Sequence, residues 1–260
     1  MLIIYRILIN IILLISPIVI IFRIIKNKEH PRRFLEKYSI PSKRRKPGKL
    51  VWFHGSSVGE TLSVLPLVEK LEKDKNIHQI LITSNTLSSS RIFENLKFKK
   101  TIHQFFPIDS NVIVKKFLNY WNPSLVLFIE SEIWPNMMIE VKKKNINLIL
   151  LNARITKKTF SKWKSVKDIS YMLFNKFNVC LAQNSETVNY LKKLGVKRLR
   201  KIGNLKFSEP NINKTNYINR YKFNFLSSKK ILFSAISTHF NEEVVCSKIH
   251  LKLKKNLEMV

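Results

Sequence analysis

Glycine is scarce in this 260-residue chain, with five in all, and the glycine-rich phosphate loops are missing. Neither a G-x-x-x-x-G-K-[ST] nor a G-x-G-x-x-G sequence occurs, which argues against a nucleotide triphosphatase or a nicotinamide enzyme. Cysteine is scarcer still. Cys180 and Cys246 have no metal-ligand spacing, so no disulfide framework or zinc site is suggested, and both read as reduced residues in the core of a cytosolic domain. The six histidines are scattered, and His239-x-x-Glu242 lacks the second histidine of a zinc protease motif. Neither a catalytic metal nor a cofactor is expected. Acidic residues are few as well: 17 Asp and Glu stand against 47 Lys and Arg, a formal charge of +30. Such a charge calls for an anionic partner, and the candidates are nucleic acid, anionic lipid and a phosphorylated substrate. The basic connector Ser42 to Lys49 lacks the interleaved aromatics of a base-stacking platform, and no RNA-binding module is recognisable. Nucleic acid is therefore set aside in favour of anionic headgroups.

What the chain does have, first, is a long apolar run. Met1 to Phe22 is broken only by Arg6, Asn10, Ser16 and Pro17, and as a helix it would reach roughly 30 Å at 1.5 Å per residue. No small-residue cleavage site follows it. Instead come Arg23, Lys26, Lys28, Arg32 and Arg33, which by the positive-inside rule keep the rest of the chain in the cytoplasm. Residues 1–25 thus read as a retained membrane-anchor helix, and a monotopic helix lying in the interface is the main variant.

From residue 50 onward, short apolar runs alternate with amphipathic ones. Strands are expected at 50–54, 79–83, 102–106, 124–130, 147–151, 178–182 and 199–202. Helices are expected near 61–73, 87–97, 110–120, 135–144, 161–175 and 185–194. Leu125-Val-Leu-Phe-Ile129 has the continuous hydrophobicity of a parallel strand buried on both faces. The pattern predicts a Rossmann-like, doubly wound α/β domain over residues 33–208. Residues 209–229 read as a linker. Ile231 to Ile236 reads as one more strand and Ser237 to Glu243 as the opening of one more helix, so that 209–260 would be a linker and the truncated start of a second domain.

Polar clusters fall at four expected strand-to-helix junctions: His54 to Glu60, Thr83 to Thr86, Glu130 to Asn136, and Leu151 to Arg154. The carboxyl ends of neighbouring parallel strands line one crevice, so these clusters are expected to converge. Glu60 is the first candidate for an acid or base, although Ser57-Val58-Gly59-Glu60 equally fits a capping box in which the carboxylate only satisfies a backbone N–H. Glu130 ends an apolar strand, and as a bland alternative it is a buried structural acid while Glu132 decorates a helix entry. Lys206, in Gly203-Asn-Leu-Lys-Phe207, is placed either to reach into an interdomain cleft or simply to be solvated.

Taken together, the apolar N-terminus, Arg33-Phe-Leu-Glu-Lys-Tyr38, His54-Gly-Ser-Ser-Val-Gly-Glu60, Phe106-Pro-Ile-Asp109, Glu130-Ser-Glu-Ile-Trp-Pro-Asn136, Asn152-Ala-Arg154, Ala182-Gln-Asn184 and Gly203-Asn-Leu-Lys-Phe207 resemble the 3-deoxy-D-manno-octulosonic acid (Kdo) transferases of Gram-negative bacteria. The resemblance implies a membrane-associated, inverting glycosyltransferase of the two-domain GT-B type, with an N-terminal acceptor domain and a C-terminal CMP-binding domain. Its partners would be the donor CMP-Kdo, the lipid A precursor as acceptor, and the anionic lipids of the inner membrane. Matched by motif, Glu60 takes the place of the catalytic base, while Glu130 and Lys206 take the places credited with transition-state support. Ser57, Gly59, Glu132, Asn136 and Arg154 are the candidate substrate contacts. Where the family carries a Thr-Pro-Thr-Gly-Ser-type turn, this chain has Thr86-Leu-Ser-Ser-Ser-Arg91. The sequence stops before most of a donor domain, and residues 1–260 alone are expected not to transfer Kdo. The alternative from another class is a membrane-anchored acceptor domain that binds anionic lipid without catalysis.

Overall fold

The computed structural model describes residues 1–207, 235, 238 and 240–257. The chain divides into two compact units, Met1–Pro210 and Asn211–Val260. The expected linker at 209–229 and the expected strand Ile231 to Ile236, apart from Ala235, lie outside the described residues. In the second unit, helix α10 (Glu242–Leu257) carries Cys246, which is half-buried rather than a core residue. Cys180 is fully buried in the first unit, and burial pushes its thiol far up, as befits an inert core cysteine.

In the first unit, seven parallel strands form one sheet: β1 (Leu50–His54), β2 (Gln79–Ser84), β3 (Thr101–Phe105), β4 (Leu125–Ile129), β5 (Asn147–Ala153), β6 (Val179–Ala182) and β7 (Leu199–Lys201). Their order is β3-β2-β1-β4-β5-β6-β7, the doubly wound arrangement that the alternating pattern predicts. Every neighbouring pair is parallel, so both faces must be covered, and β1 is buried at all five positions. The winding reverses between β1 and β4. In such sheets that reversal opens a crevice at the strand carboxyl ends.

Helices α2 (Val58–Ser63), α3 (Leu65–Lys73), α4 (Leu87–Asn95), α5 (Asn111–Trp121), α6 (Pro135–Lys143), α7 (Lys157–Lys164), α8 (Lys167–Phe174) and α9 (Ser185–Lys193) cover the sheet. Many begin on a polar side chain that accepts the N–H three residues on: Ser57, Thr86, Ser110, Thr156 and Asn184. Two expected helices are each divided. The first breaks at Val64, because Pro66 in the opening turn of α3 has no N–H for a continuous ladder. The second starts earlier than expected, at Lys157 on the Thr156 cap, and turns at Ser165 and Val166 before α8. Scarce glycine has a backbone consequence. Of the seven non-glycine residues with positive φ among those described, five are asparagines, the residue type that most readily substitutes for glycine there.

Helix α1 (Leu2–Ile25) lies along the domain. The Tyr5 hydroxyl donates to Asp109 (2.7 Å), Arg6 Nε to Asn136 Oδ1 (3.0 Å), and the Ser16 and Tyr38 hydroxyls share a bond of 2.7 Å. Near the far end, Arg23 pairs with the buried Glu29 at 3.2 Å. From Tyr5 to Arg23 these anchors cover about 27 Å of helix axis at 1.5 Å per residue. Its other face, including Ile4, Ile7, Leu8, Ile11, Leu14, Ile18 and Phe22, is exposed and apolar. By length and composition, α1 is the one described helix able to cross a membrane.

The motif Arg33 to Tyr38 is a 3₁₀ turn that closes over β3. Glu36, 2% exposed, accepts from Arg33 Nε (2.8 Å), from the Phe105 N–H (2.6 Å), from Gln104 Nε2 (3.2 Å) and from the Ser42 hydroxyl. Arg33 also reaches the carbonyl of His103 at 2.9 Å. Burial and the Arg33 charge push His103 down to about 3, so it stays neutral. This motif holds the N-terminal segment on the sheet.

Candidate active site

Glu60 follows β1 and Glu130 follows β4, so the two strands that flank the winding reversal each deliver a carboxylate. Glu60 sits in the first turn of α2. Its Oε2 accepts the Ser56 N–H (2.8 Å) and its Oε1 accepts the Ser57 hydroxyl (2.9 Å), while Ser57 Oγ in turn accepts the Glu60 N–H (3.3 Å). The capping arrangement is therefore formed. It also fixes the carboxylate in one orientation, so capping does not compete with a catalytic role. Burial, opposed by the Ser57 bond and reinforced by the negative charge of Glu132, raises the Glu60 carboxyl above the ordinary carboxylate range, and Glu130 adds to the rise. At Gly55 a Cβ would lie 3.1 Å from both Glu60 Cβ and Ile129 Cδ1. Absence of a side chain there lets α2 approach β4.

Glu130 is 8% exposed and has φ 58°, the left-handed region that a β-strand continuation forbids. A glutamate held there costs about 1–3 kcal/mol, and such strain clusters at functional sites. Its backbone is pinned on both sides, by Glu130 N–H to Leu151 O (2.9 Å) and Arg154 N–H to Glu130 O (3.2 Å). Lys206 Nζ lies 2.7 Å from Glu130 Oε1. The lysine also passes over Gly59, where a Cβ would be 3.9 Å from Nζ, so Lys206, Glu130 and the start of α2 form one cluster.

What delivers Lys206 is Asn152, also at positive φ (54°) and fully buried. Its Oδ1 accepts the Leu205 N–H (3.0 Å), while Asn204 Oδ1 accepts the Lys206 N–H (3.0 Å). Neither asparagine stood out as a site residue from sequence, although both belong to the motifs quoted above. Both left-handed residues sit where adjacent strands end, and only the fold reveals that coincidence.

Glu132 faces His54. His54 Nε2 is 3.1 Å from Glu132 Oε2, and Trp134 Nε1 donates to the same oxygen at 2.6 Å. Burial alone would raise this carboxyl, but the hydrogen bonds from His54, Ser56 and Trp134, with the His54 charge, bring it below its ordinary value. The His54 ring is fully buried, stacked 3.7 Å from the Phe106 ring, with Nδ1 3.0 Å from Thr83 Oγ1. Sequence reasoning missed His54 and Trp134 as individual residues; their place inside two junction clusters was the available signal.

The remaining candidates separate by exposure. Gly59 is exposed and Ser57 half-buried, while Arg154 is exposed and its side chain has no hydrogen-bond or ion-pair partner among the described residues. Asn136 is fully buried: its amide donates to Asp109 O (2.6 Å) and accepts from Arg6. Its side chain joins α1 to α6 and is not open to a substrate. Asp109, 2% exposed, accepts from Tyr5 and from the N–H groups of Asn136 (3.0 Å) and Met137 (2.8 Å), capping α6. Burial nevertheless pushes its carboxyl up to about 6.

Fold and site together define a Rossmann-type α/β domain whose strand ends carry an ion pair and a second, independently held carboxylate. Residues 32–209 match the family model of 3-deoxy-D-manno-octulosonic-acid transferase (kdotransferase), and the chain belongs to that family of glycosyltransferases. The 3-deoxy-D-manno-octulosonic acid transferase of Rickettsia bellii is 34% identical over 242 residues, covering 92% of this chain and 57% of the relative. The Haemophilus influenzae transferase is 24% identical over 251 residues, covering 94% and 58%. The chain thus spans about half the length of the curated relatives it matches. Among solved structures, UDP-N-acetylglucosamine 2-epimerase from Rickettsia bellii aligns with a TM-score of 0.45 at 16% identity, over 71% of this chain and 50% of that one.

Proposed function

We propose that this chain is the acceptor-binding part of a Kdo transferase, which moves Kdo from CMP-Kdo onto a hydroxyl of the lipid A precursor with inversion. Residues 33–208 would form the acceptor domain, and 209–260 would lead into a donor domain. The observation that carries the reading is the Glu60 carboxylate, fixed by Ser56 and Ser57 beside the Glu130–Lys206 pair at the sheet's winding reversal.

A carboxylate raised above its usual range is a stronger base while still ionised. Glu60 would take the proton of the acceptor hydroxyl as that oxygen bonds to the anomeric carbon. As that bond forms, the bond from the anomeric carbon to the phosphate oxygen of CMP breaks, and its electron pair leaves on that oxygen. Lys206 supplies positive charge for the departing phosphate, and Glu130 holds the ammonium in place before reaction. Such preorganisation justifies a strained glutamate backbone.

The acceptor is a lipid, and α1 gives the chain a means of meeting it. Because α1 is bonded to the domain from Tyr5 to Arg23, it would lie in the cytoplasmic interface with its apolar face in the bilayer and the basic residues beyond it against anionic headgroups.

The test is to join residues 1–208 to the C-terminal half of the Rickettsia bellii relative and assay transfer of labelled Kdo to the tetra-acylated lipid A precursor. Transfer is expected. A well-folded, membrane-bound chimera that binds CMP-Kdo and yields no labelled lipid would favour the lipid-binding module without catalysis.

A further inference from the structure

Between the first turns of α1 and the domain lies a slot of about 420 Å³, within the ~300–1,000 Å³ typical of small-molecule sites. It is lined by Leu2 and Ile9 of α1, by Ile133 and Trp134 ahead of α6, and by Trp163 and Ile169 of α7 and α8. Among its lining residues the Tyr5 hydroxyl is engaged with Asp109 and the Trp134 N–H with Glu132, which leaves the Trp163 N–H and the Met1 amino group as the remaining polar groups. The slot therefore presents mainly hydrocarbon with few polar groups, the lining that suits an apolar ligand.

We propose that this slot holds one acyl chain of a membrane lipid whose headgroup lies at the Glu60–Glu132 face. Two observations select a lipid chain over a peptide or a second copy. The slot is lined in part by α1, whose outer residues Ile4, Ile7, Leu8 and Ile11 form an exposed apolar surface, so slot and outer face share a hydrocarbon surrounding. Trp134 lines the slot while its indole N–H is bonded to Glu132 inside the polar cluster. A molecule reaching from one to the other must be apolar at one end and polar at the other. Through Trp134, an occupied slot would also steady Glu132 and, beyond it, His54. The inference rests on the membrane attachment proposed above and is independent of the transfer reaction.

The test uses the full chain with phosphatidylglycerol vesicles whose acyl chains carry a photoactivatable diazirine, and peptide mapping of the adducts. Adducts are expected in two places: on the outer face of α1, from the bilayer, and on Ile133–Pro135 and 163–173, from the slot. Ile169→Phe fills the slot from a half-buried position and should lower the slot adducts at least five-fold while leaving those on α1. Ile9→Phe, from α1, should do the same. Labelled α1 with an unlabelled slot would overturn the slot alone, as would slot adducts unchanged in both variants. No adduct on either would overturn the attachment as well.

Discussion

Replacing Asp109 by asparagine tests the packing of the anchor helix through a pH dependence. Asp109 is 2% exposed, and its carboxyl is raised from 3.8 to about 6 by burial, against the pull of the Tyr5, Asn136 and Met137 bonds. A shift of this size corresponds to about 3 kcal/mol at 1.36 kcal/mol per unit, so the ionised group opposes folding at neutral pH. The raised native value means that the stabilising contribution of protonation is fully present below the unfolded value and is lost as pH rises through about 6. Between pH 7 and pH 5 the native carboxyl takes up most of a proton and the unfolded one almost none, a gain of about 1 kcal/mol. Asparagine cannot titrate. The variant carries a constant penalty for the acceptor lost at the start of α6, and urea titrations should show its deficit widening by about 1 kcal/mol from pH 7 to pH 5. Other acids, Glu60 included, titrate alike in both proteins and cancel. A deficit equal at the two pH values within about 0.3 kcal/mol would mean that Asp109 ionises as an ordinary surface acid, which its place beneath Tyr5 forbids.

Glu36→Ala takes the buried partner from Arg33, which keeps Glu94 and the His103 carbonyl, and leaves the buried Phe105 N–H without its acceptor; it should cost about 3–5 kcal/mol, or roughly 6–20 °C of Tm for a domain of this size. Arg33→Met combined with Glu36→Leu should recover much of that loss, and a single variant melting within about 2 °C of the parent would contradict the ion-pair account. Deleting residues 2–25 should abolish sedimentation with anionic vesicles at physiological salt, where surface lysines alone are screened beyond ~8 Å. Vesicle binding retained without α1 would move the attachment onto the basic surface of the domain.

The sheet was legible because its strands are short, apolar and separated by amphipathic runs; Leu125 to Ile129 admits little else than a buried parallel strand. Some helix starts were legible as well: those expected at 87 and 185 fall where Thr86 and Asn184 cap α4 and α9, whereas α2 and α7 begin earlier than expected, at Val58 and Lys157. The coupling between clusters was not. Asn152 orders the Lys206 segment 53 residues away through the Leu205 N–H, and a contact so remote leaves no local pattern. Asp109 and Asn136 are joined across 27 residues, and Asn136 looked like a substrate contact only because its burial under Arg6 is a tertiary fact. Arg33 to Tyr38 counted toward the family resemblance, yet Arg33 and Glu36 act on β3 and Tyr38 on α1 rather than on the crevice. Helix breaks were hidden for a simpler reason: at Val64 and Ser165 the hydrophobic pattern continues while the backbone ladder does not.

The central claim is that Glu60 removes a proton as the new bond forms. Its most direct test compares single-turnover Kdo transfer by the chimera with that of its Glu60→Gln variant, with CMP-Kdo and acceptor both saturating. Glutamine retains an acceptor for the Ser56 N–H and much of the shape but cannot accept the proton. The rate should fall at least ~10²-fold, with CMP-Kdo affinity and Tm unchanged. A variant that turns over near the parent rate would leave Glu60 as the cap of α2 and nothing more.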